Sequence, residues 1–514
     1  MSNGGGGWSV LLKTEDWLAV WIGFLIIILS LVGMKVVMPN FRWISGGEVG
    51  EFTADRGLRA DKLASQAGTK GETGLQTQAQ ALKAALEKKD MKEVSDAVKK
   101  FEGAVKEVKD KDLKKIAGQL ATDTKRFAGR TPGKVFTADN ITWSIYIGIG
   151  MLILSVIAMA LLGRGIGLFI LGFPVVFIIS WIALFIAGNY SVNVYGLEYV
   201  IWCLILGLIV SNVIGVPEWL KPAVQTEFYI KTGLVILGAG ILFMEILEAG
   251  GRGIAQALLV VGVVWYFCYW LCKKLGVDDD FSAILSSAVS ICGVSAAIAT
   301  SGAIKGDPKK LSYTTSLVLV CAVPMMVLQP LISKSFGIPD VVAGAWLGGT
   351  LDTSGSVVAA GSLISEVAMK VGVIVKMSQN VLIGVAAFIL AVVWTFKTAE
   401  QVPGGERPGA IEIWNRFPKF VLGFLAASIL FSFFLSPQVV GAVKSQLGEL
   451  RLYWFALAFT SIGLETNFRE LVGMGGGRPA AGFLIAQGFN VIWTLILAYL
   501  IFGGVLPWLP MLKF

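Results

Sequence analysis

Runs of roughly 20 apolar residues recur along this chain, at 17–38, 141–162 and 166–187 and then at 196–215, 228–247, 254–272, 311–332, 377–396, 420–435, 452–463 and 483–502. A helix of that length crosses a hydrocarbon core about 30 Å thick, and it satisfies its own backbone where lipid offers no hydrogen-bond partner. The chain is 55% hydrophobic and 15% charged, against about 45–50% and 25% in ordinary globular domains. The pattern predicts an all-α polytopic membrane protein of about eleven spans. The first run reads as a retained span, since it is too long for a signal h-region and its flank carries Glu15 and Asp16 beside Lys13.

Between the first and second runs the character changes. Residues 40–140 lack a long apolar run and are rich in Lys, Glu, Ala and Gln, so a soluble helical insert separates the N-terminal span, 1–39, from a core at 141–514. Val94, Val98, Phe101, Val105 and Val108 alternate spacings of four and three, one apolar stripe on a helix. Asp90 with Glu93 forms a capping pair for it, and the related start at Asp112 suggests two or three helices packed as a small antiparallel bundle. The insert reads as a decoration in preference to a module that binds a protein partner.

The chain has no histidine, which excludes histidine proton relays and His-ligated metals. Its five cysteines all lie in apolar segments without zinc or redox spacing. No Walker loop, dinucleotide fingerprint or Ser-His-Asp set is present, so the reading is not an enzyme and requires no cofactor. The net charge of +8 is ordinary membrane-protein basicity, with no call on nucleic acid.

Two segments resist assignment as simple spans. Ser290-Ile-Cys-Gly-Val-Ser-Ala-Ala297 and Gly348-Gly-Thr-Leu-Asp-Thr-Ser-Gly-Ser-Val-Val-Ala-Ala-Gly361 are rich in residues that weaken helices and expose backbone groups. In a membrane such backbone is tolerated where it lines a polar cavity. If both segments are re-entrant hairpins, Lys273, Lys274, Lys305, Lys309 and Lys310 fall on one basic face with Arg164, Lys221 and Lys397; if both span, that bias shrinks. The hairpin reading puts the amino terminus inside, the insert outside, and the hairpin tips together near the midplane. An echo between Gly238-Ala-Gly-Ile-Leu-Phe-Met-Glu-Ile-Leu-Glu-Ala-Gly250 and the stretch from Ser461 to Gly473 suggests inverted repeats.

The residues that could carry chemistry follow from those segments. Ser290, Cys292, Gly293 and Ser295 supply hydroxyls and free N–H groups suited to an anion at a helix interruption. Thr350, Thr353, Ser354 and Ser356 do the same in the second stretch, which adds Asp352. A mid-segment carboxylate is costly in lipid and, in a chain without histidine, is the natural site for a coupling proton or sodium ion. Lys376, with Ser378, Gln379 and Asn380 after it, extends a polar stripe that could neutralise and orient a small anion. Tight packing of small residues and cross-linking of helices are the structural alternatives.

Cys292-Gly-Val-Ser-Ala, then Val357-Val-Ala-Ala-Gly361, then Val375-Lys376, together with Gly233-Leu-Val-Ile-Leu-Gly-Ala-Gly240 and Trp346-Leu-Gly-Gly-Thr350, resemble the YeiH-type sulfate exporter family of bacterial inner-membrane transporters. The likeness covers about 196–482. It implies a secondary active transporter of sulfate or a related sulfur oxyanion or sulfonate, working by alternating access. The chain departs from the family's pattern where Thr353 stands opposite an Asp and Ser356 opposite a Gln, and where Gln379-Asn380 replaces a frequent Thr-Arg pair. An anion channel and a membrane sensor using the insert are the other readings, and the oligomeric state is open.

Overall fold

The computed structural model describes residues 8–195, 197–399, 414, 417–467 and 477–512. Among them the chain is almost wholly helical, with one isolated bridge between Trp43 and Asn189. It divides into two units, Met1–Lys35 with Gly150–Ser180 and Cys203–Phe514, and Val36–Ile149 with Trp181–Trp202. The first long helix, α1, is Glu15–Leu31. It stops seven residues short of the expected 38 because Gly33 takes a φ of +98° and turns the chain.

In the second unit four helices follow one another: α2 Val49–Thr69, α3 Thr73–Glu87, α4 Met91–Glu107 and α5 Lys111–Lys125. The sequence predicts two or three. The α2 and α3 stripes are built largely from alanine, as in Ala60, Ala64, Ala67 and Ala79, so their periodicity is faint although these residues are buried. The valine stripe of α4 is buried as its spacing requires, with Val94, Val98 and Phe101 at the centre. Asp90 caps α4 by accepting from the Lys92 and Glu93 backbone N–H groups, while Glu93 itself turns to Lys88 at 2.8 Å. The cap of α5 is Asp110, accepting from Leu113 N at 2.9 Å, and not Asp112.

Tyr190 closes this core. Its ring meets Phe127 at 5.2 Å and Phe52 at 5.4 Å, and its hydroxyl accepts from Arg56 at 3.0 Å. Beside it, Glu48 accepts from Ser45 N and Oγ, Asn189 Nδ2 and Ser191 N at 2.6–3.0 Å. Burial pushes the Glu48 carboxyl up, but the hydrogen bonds from Ser191 and Ser45 outweigh it and hold it at about 2. The stability this contributes is present above the ordinary carboxyl value and is lost as pH falls from about 4.5 towards about 2. A Glu48→Gln protein should therefore be less stable in this unit by about 1–2 kcal/mol near neutral pH, after allowance for solvent screening. Hydrogen exchange at 45–48 and 189–191, compared with wild type at each pH, should show the difference closing near pH 2.

Two long helices, α6 Ala138–Leu161 and α7 Ile166–Ala187, lead into the rest of the first unit. There follow α8 Tyr199–Ile209, α9 Thr226–Gly238, α10 Phe243–Lys274, α11 Asp279–Ser287, α12 Gly293–Ile304, α13 Pro308–Ser335, α14 Asp340–Thr350, α15 Ser354–Ile364, α16 Glu366–Ala399, α17 Phe420–Ile429, α18 Pro437–Glu465 and α19 Arg478–Phe502. By length and composition seven segments among the described residues are able to cross a membrane, which makes this a multi-pass membrane protein. Six of these are among the expected eleven and the seventh is 279–304; of the other five, α1, α8, α9 and α17 are short or end in irregular turns, and α18, although 29 residues long, is not apolar enough along its length to count. The apolar run expected at 228–247 is divided, with α9 ending at Gly238 and α10 starting at Phe243.

The segment 279–304 counts as a span by hydropathy, yet it folds back on itself. Lys310, at the start of α13, pairs with Asp278, at the start of α11, at 2.6 Å. A Cβ on Gly306 would stand 3.0 Å from Ile284 on α11. Both ends of the segment thus lie at one level, and α11 and α12 form a hairpin.

The second segment does the same in the other direction. A Cβ on Gly344 would meet Ala368 O, one on Gly348 would meet Gly372 O, and one on Gly361 would meet Met369 Cα, each at 2.5 Å. Rising numbers on α14 therefore track rising numbers on α16, while α15 returns against it. These glycines are what let three backbones approach so closely. Since α16 runs from the base of this hairpin to Trp394, whose Nε1 donates to Asp280 at 2.7 Å, the two hairpins enter from opposite ends of α16.

The echoed glycines do different work. Gly463 crosses Gly207 with a would-be Cβ 2.9 Å from its Cα, whereas Gly240 lies in the break after α9. The remainder of that echo, 468–473, lies outside the described residues.

Candidate functional site

The hairpin tips touch. Gly293 has φ +37°, and a Cβ there would lie 2.9 Å from Asp352 O, 3.0 Å from Asp352 Cβ and 2.7 Å from Val318 Cγ1. Breaking two helices at one place leaves two C-terminal ends with free carbonyls and two N-terminal ends with free N–H groups. The structure treats these ends differently.

The carbonyl ends are met by donors from long helices. Lys376 Nζ donates to Ile291 O at 2.6 Å and to Gln379 Oε1 at 2.9 Å, and Gln379 Nε2 donates to Ser290 O at 2.7 Å and Gly349 O at 3.3 Å. From α19, Asn490 donates to Val289 O at 3.1 Å and Gln487 to Thr350 O at 2.9 Å. Gln256 on α10 donates to Ala345 O at 2.8 Å. A charged or amide donor at a helix C-terminus is favourable for both the free carbonyl and the dipole.

The N-terminal ends face a cavity of about 690 Å³ instead. Its wall includes Cys292, Val294 and Ser295 from the start of α12, Thr353 and Ser354 from the start of α15, and Asn380 and Ile383 from α16. Thr353 caps α15 by accepting from Ser356 N at 3.1 Å, and Asn380 Nδ2 donates to Ser354 Oγ at 3.2 Å. Asn380 Oδ1 is buried without a hydrogen-bond partner. Two helix N-termini, hydroxyls and an amide thus converge on one space, a combination that accepts negative charge.

The residues singled out from sequence fall into two groups. Cys292, Ser295, Thr353, Ser354 and Asn380 border the cavity, and Gly293 makes the tip contact. Ser290, Thr350, Asp352, Ser356 and Lys376 are enclosed. Ser290 donates to Ser286 O at 2.7 Å, Thr350 to Trp346 O at 2.7 Å, and Ser356 Oγ lies 2.6 Å from Thr353 Oγ1. Lys376 is 2% exposed.

Sequence reasoning missed the opposite wall, where Glu15, Asp16, Glu227 and Lys231 meet. Lys231 Nζ lies 2.9 Å from Asp16, 3.0 Å from Glu15 and 3.4 Å from Glu227, and Arg164 reaches Glu15 at 3.0 Å. Lys419 N donates to Asp16 at 2.8 Å. It also missed Gln256, Gln329, Gln487 and Asn490. Amides in the middle of apolar runs were the available signal, since in hydrocarbon they need partners.

The model of the family described as conserved hypothetical protein 698 matches residues 171–480. Among curated proteins, a UPF0324 membrane protein of Rhodopirellula baltica is 42% identical over 401 residues, 75% of this chain and 73% of that one. A UPF0324 membrane protein of Nitratidesulfovibrio vulgaris is 39% identical, covering 76% of this chain and 70% of its own. One of Nitrosomonas europaea is 32% identical, covering 66% and 79%. No solved structure matches.

Proposed function

The chain belongs to the conserved hypothetical protein 698 family of membrane proteins, and from that premise we propose that it is a secondary active transporter of a small anion. The observation that carries this reading is the unequal treatment of the broken helix ends. Carbonyl ends are closed by Lys376, Gln379, Gln487 and Asn490, while the N-terminal ends of α12 and α15 are left to the cavity. A cation would favour the reverse arrangement.

In this reading the anion lies against the N–H groups at Val294, Ser295 and Ser354, with the Ser295, Thr353 and Ser354 hydroxyls and the Asn380 amide around it. Lys376 supports the tip from behind and adds positive potential. Alternating access moves the hairpins relative to the surrounding helices. Sulfate or a small sulfonate fits the oxyanion-binding chemistry and the motif resemblance, and export is the proposed direction. The distribution of Lys and Arg supports a bacterial inner-membrane location with the amino terminus inside and the 40–140 insert on the periplasmic side.

The test is a thermal-shift and calorimetric screen of the purified protein against sulfate, sulfite, small sulfonates and carboxylates. One class should raise the midpoint by mass action. Ser354→Ala, which removes one hydroxyl from the cavity wall, should weaken that anion about tenfold. Stabilisation by none of them, or only by cations, would remove the proposal.

A further inference from the structure

Behind the tips, two buried acceptors lack partners. Asp352 is 1% exposed and its Oδ2 has no hydrogen bond; Gln487 is 4% exposed and its Oε1 has none. The two side chains are in contact. The Gln487 amide is oriented by its nitrogen, which donates to Thr350 O at 2.9 Å and lies 3.3 Å from Met325 Sδ. Its oxygen can then only accept, and an ionised Asp352 can also only accept. Two orphaned acceptors in a dry interior cost about 1–3 kcal/mol each, and more for a carboxylate.

One hydrogen removes both deficits, if Asp352 is a carboxylic acid donating to Gln487. A sodium ion would need several oxygens, and the surroundings supply few. Met325 Sδ stands beside the Gln487 amide and Leu351 precedes Asp352 in the chain, and Thr350 Oγ1 is already engaged with Gln329 and Trp346. We propose that Asp352 and Gln487 form a proton-binding site whose occupancy is linked to that of the anion site across the tip contact. This rests on the transporter reading above.

The charged group acting on Asp352 is Lys376 from α16, and the titratable groups that Asp352 in turn influences are Cys292 from the first tip and Cys321 from α13. Without the proton, Asp352 balances Lys376 and opposes a second negative charge beside the tips. With the proton taken from water onto the carboxyl, Lys376 is unbalanced and the anion restores neutrality. Release of the anion returns the proton.

The experiment uses the full-length protein in lipid nanodiscs. Infrared difference spectra from about pH 5 to about pH 9 should show a protonated-carboxyl band that is absent in Asp352→Asn and shifted in Gln487→Leu. Sulfate and methanesulfonate affinity should fall by up to about tenfold per pH unit where that band titrates, stay flat in Asp352→Asn, and ignore sodium. No such band, or an anion affinity that needs sodium or does not vary with pH in the wild type, would overturn the proposal. If neither anion binds at any pH, the anion reading fails while the infrared result still decides the proton site.

Discussion

A Lys376→Ala protein is expected to lose stability even without ligand, by about 2–4 kcal/mol, and to lose measurable anion affinity as a consequence. The substitution leaves Ile291 O and Gln379 Oε1 without their donor. It also removes the positive charge beside Asp352 and opens a cavity in a packed interior. Lys376→Met restores volume but not hydrogen bonds, so it should recover only the cavity part. The Asp352→Asn/Lys376→Met double variant should recover more, because no lone charge remains behind the tips. Unfolding midpoints of the four proteins in one detergent check this. A Lys376→Ala protein as stable as wild type, with binding abolished, would mean instead that the lysine touches the anion directly.

That distinction shows what the amino-acid sequence could and could not reveal. Glycine, serine and threonine in an apolar setting mark a broken backbone, and the positions of Lys305, Lys309 and Lys310 argue for its return to one face. Those signals are local. The valine stripe of α4 is legible for the same reason. Which end of each broken helix is closed is a tertiary property, because the closing groups come from Gln256, Gln487 and Asn490, far away in sequence. Lys376 therefore reads as a ligand when it is seen only beside Asn380, and as a cap once Ile291 is placed against it. The acidic wall was hidden likewise, since Glu15 and Asp16 open the first turn of α1 and resemble an ordinary flank of an apolar run until Lys231 gathers them. The apolar runs at 196–215 and 420–435 form shorter helices than their composition suggests, because π-type turns follow α8 and α17 without changing that composition.

Gly293→Val should be the most damaging single change at the tips. The residue's φ of +37° and ψ of −112° are open to glycine and strained by about 1–3 kcal/mol for a side chain. The added carbons would also meet Asp352 backbone at 2.9 Å and Val318 at 2.7 Å, and overpacking of this kind costs about a further 1–3 kcal/mol. Because the clash lies between the hairpins, relief requires them to separate. Cys292, buried at the cavity wall, should then react faster with a small thiol reagent, by about tenfold or more. Gly355→Ala provides the control, because its Cβ would meet the flexible end of Ile462 at 3.2 Å and Ile230 at an ordinary contact distance of 3.7 Å, and Cys292 should react there as in the wild type. Unchanged Cys292 reactivity and unchanged thermal stability in Gly293→Val would mean that the tips are free to part without cost. In that case the contact between Gly293 and Asp352 could not be the junction through which one hairpin senses the other.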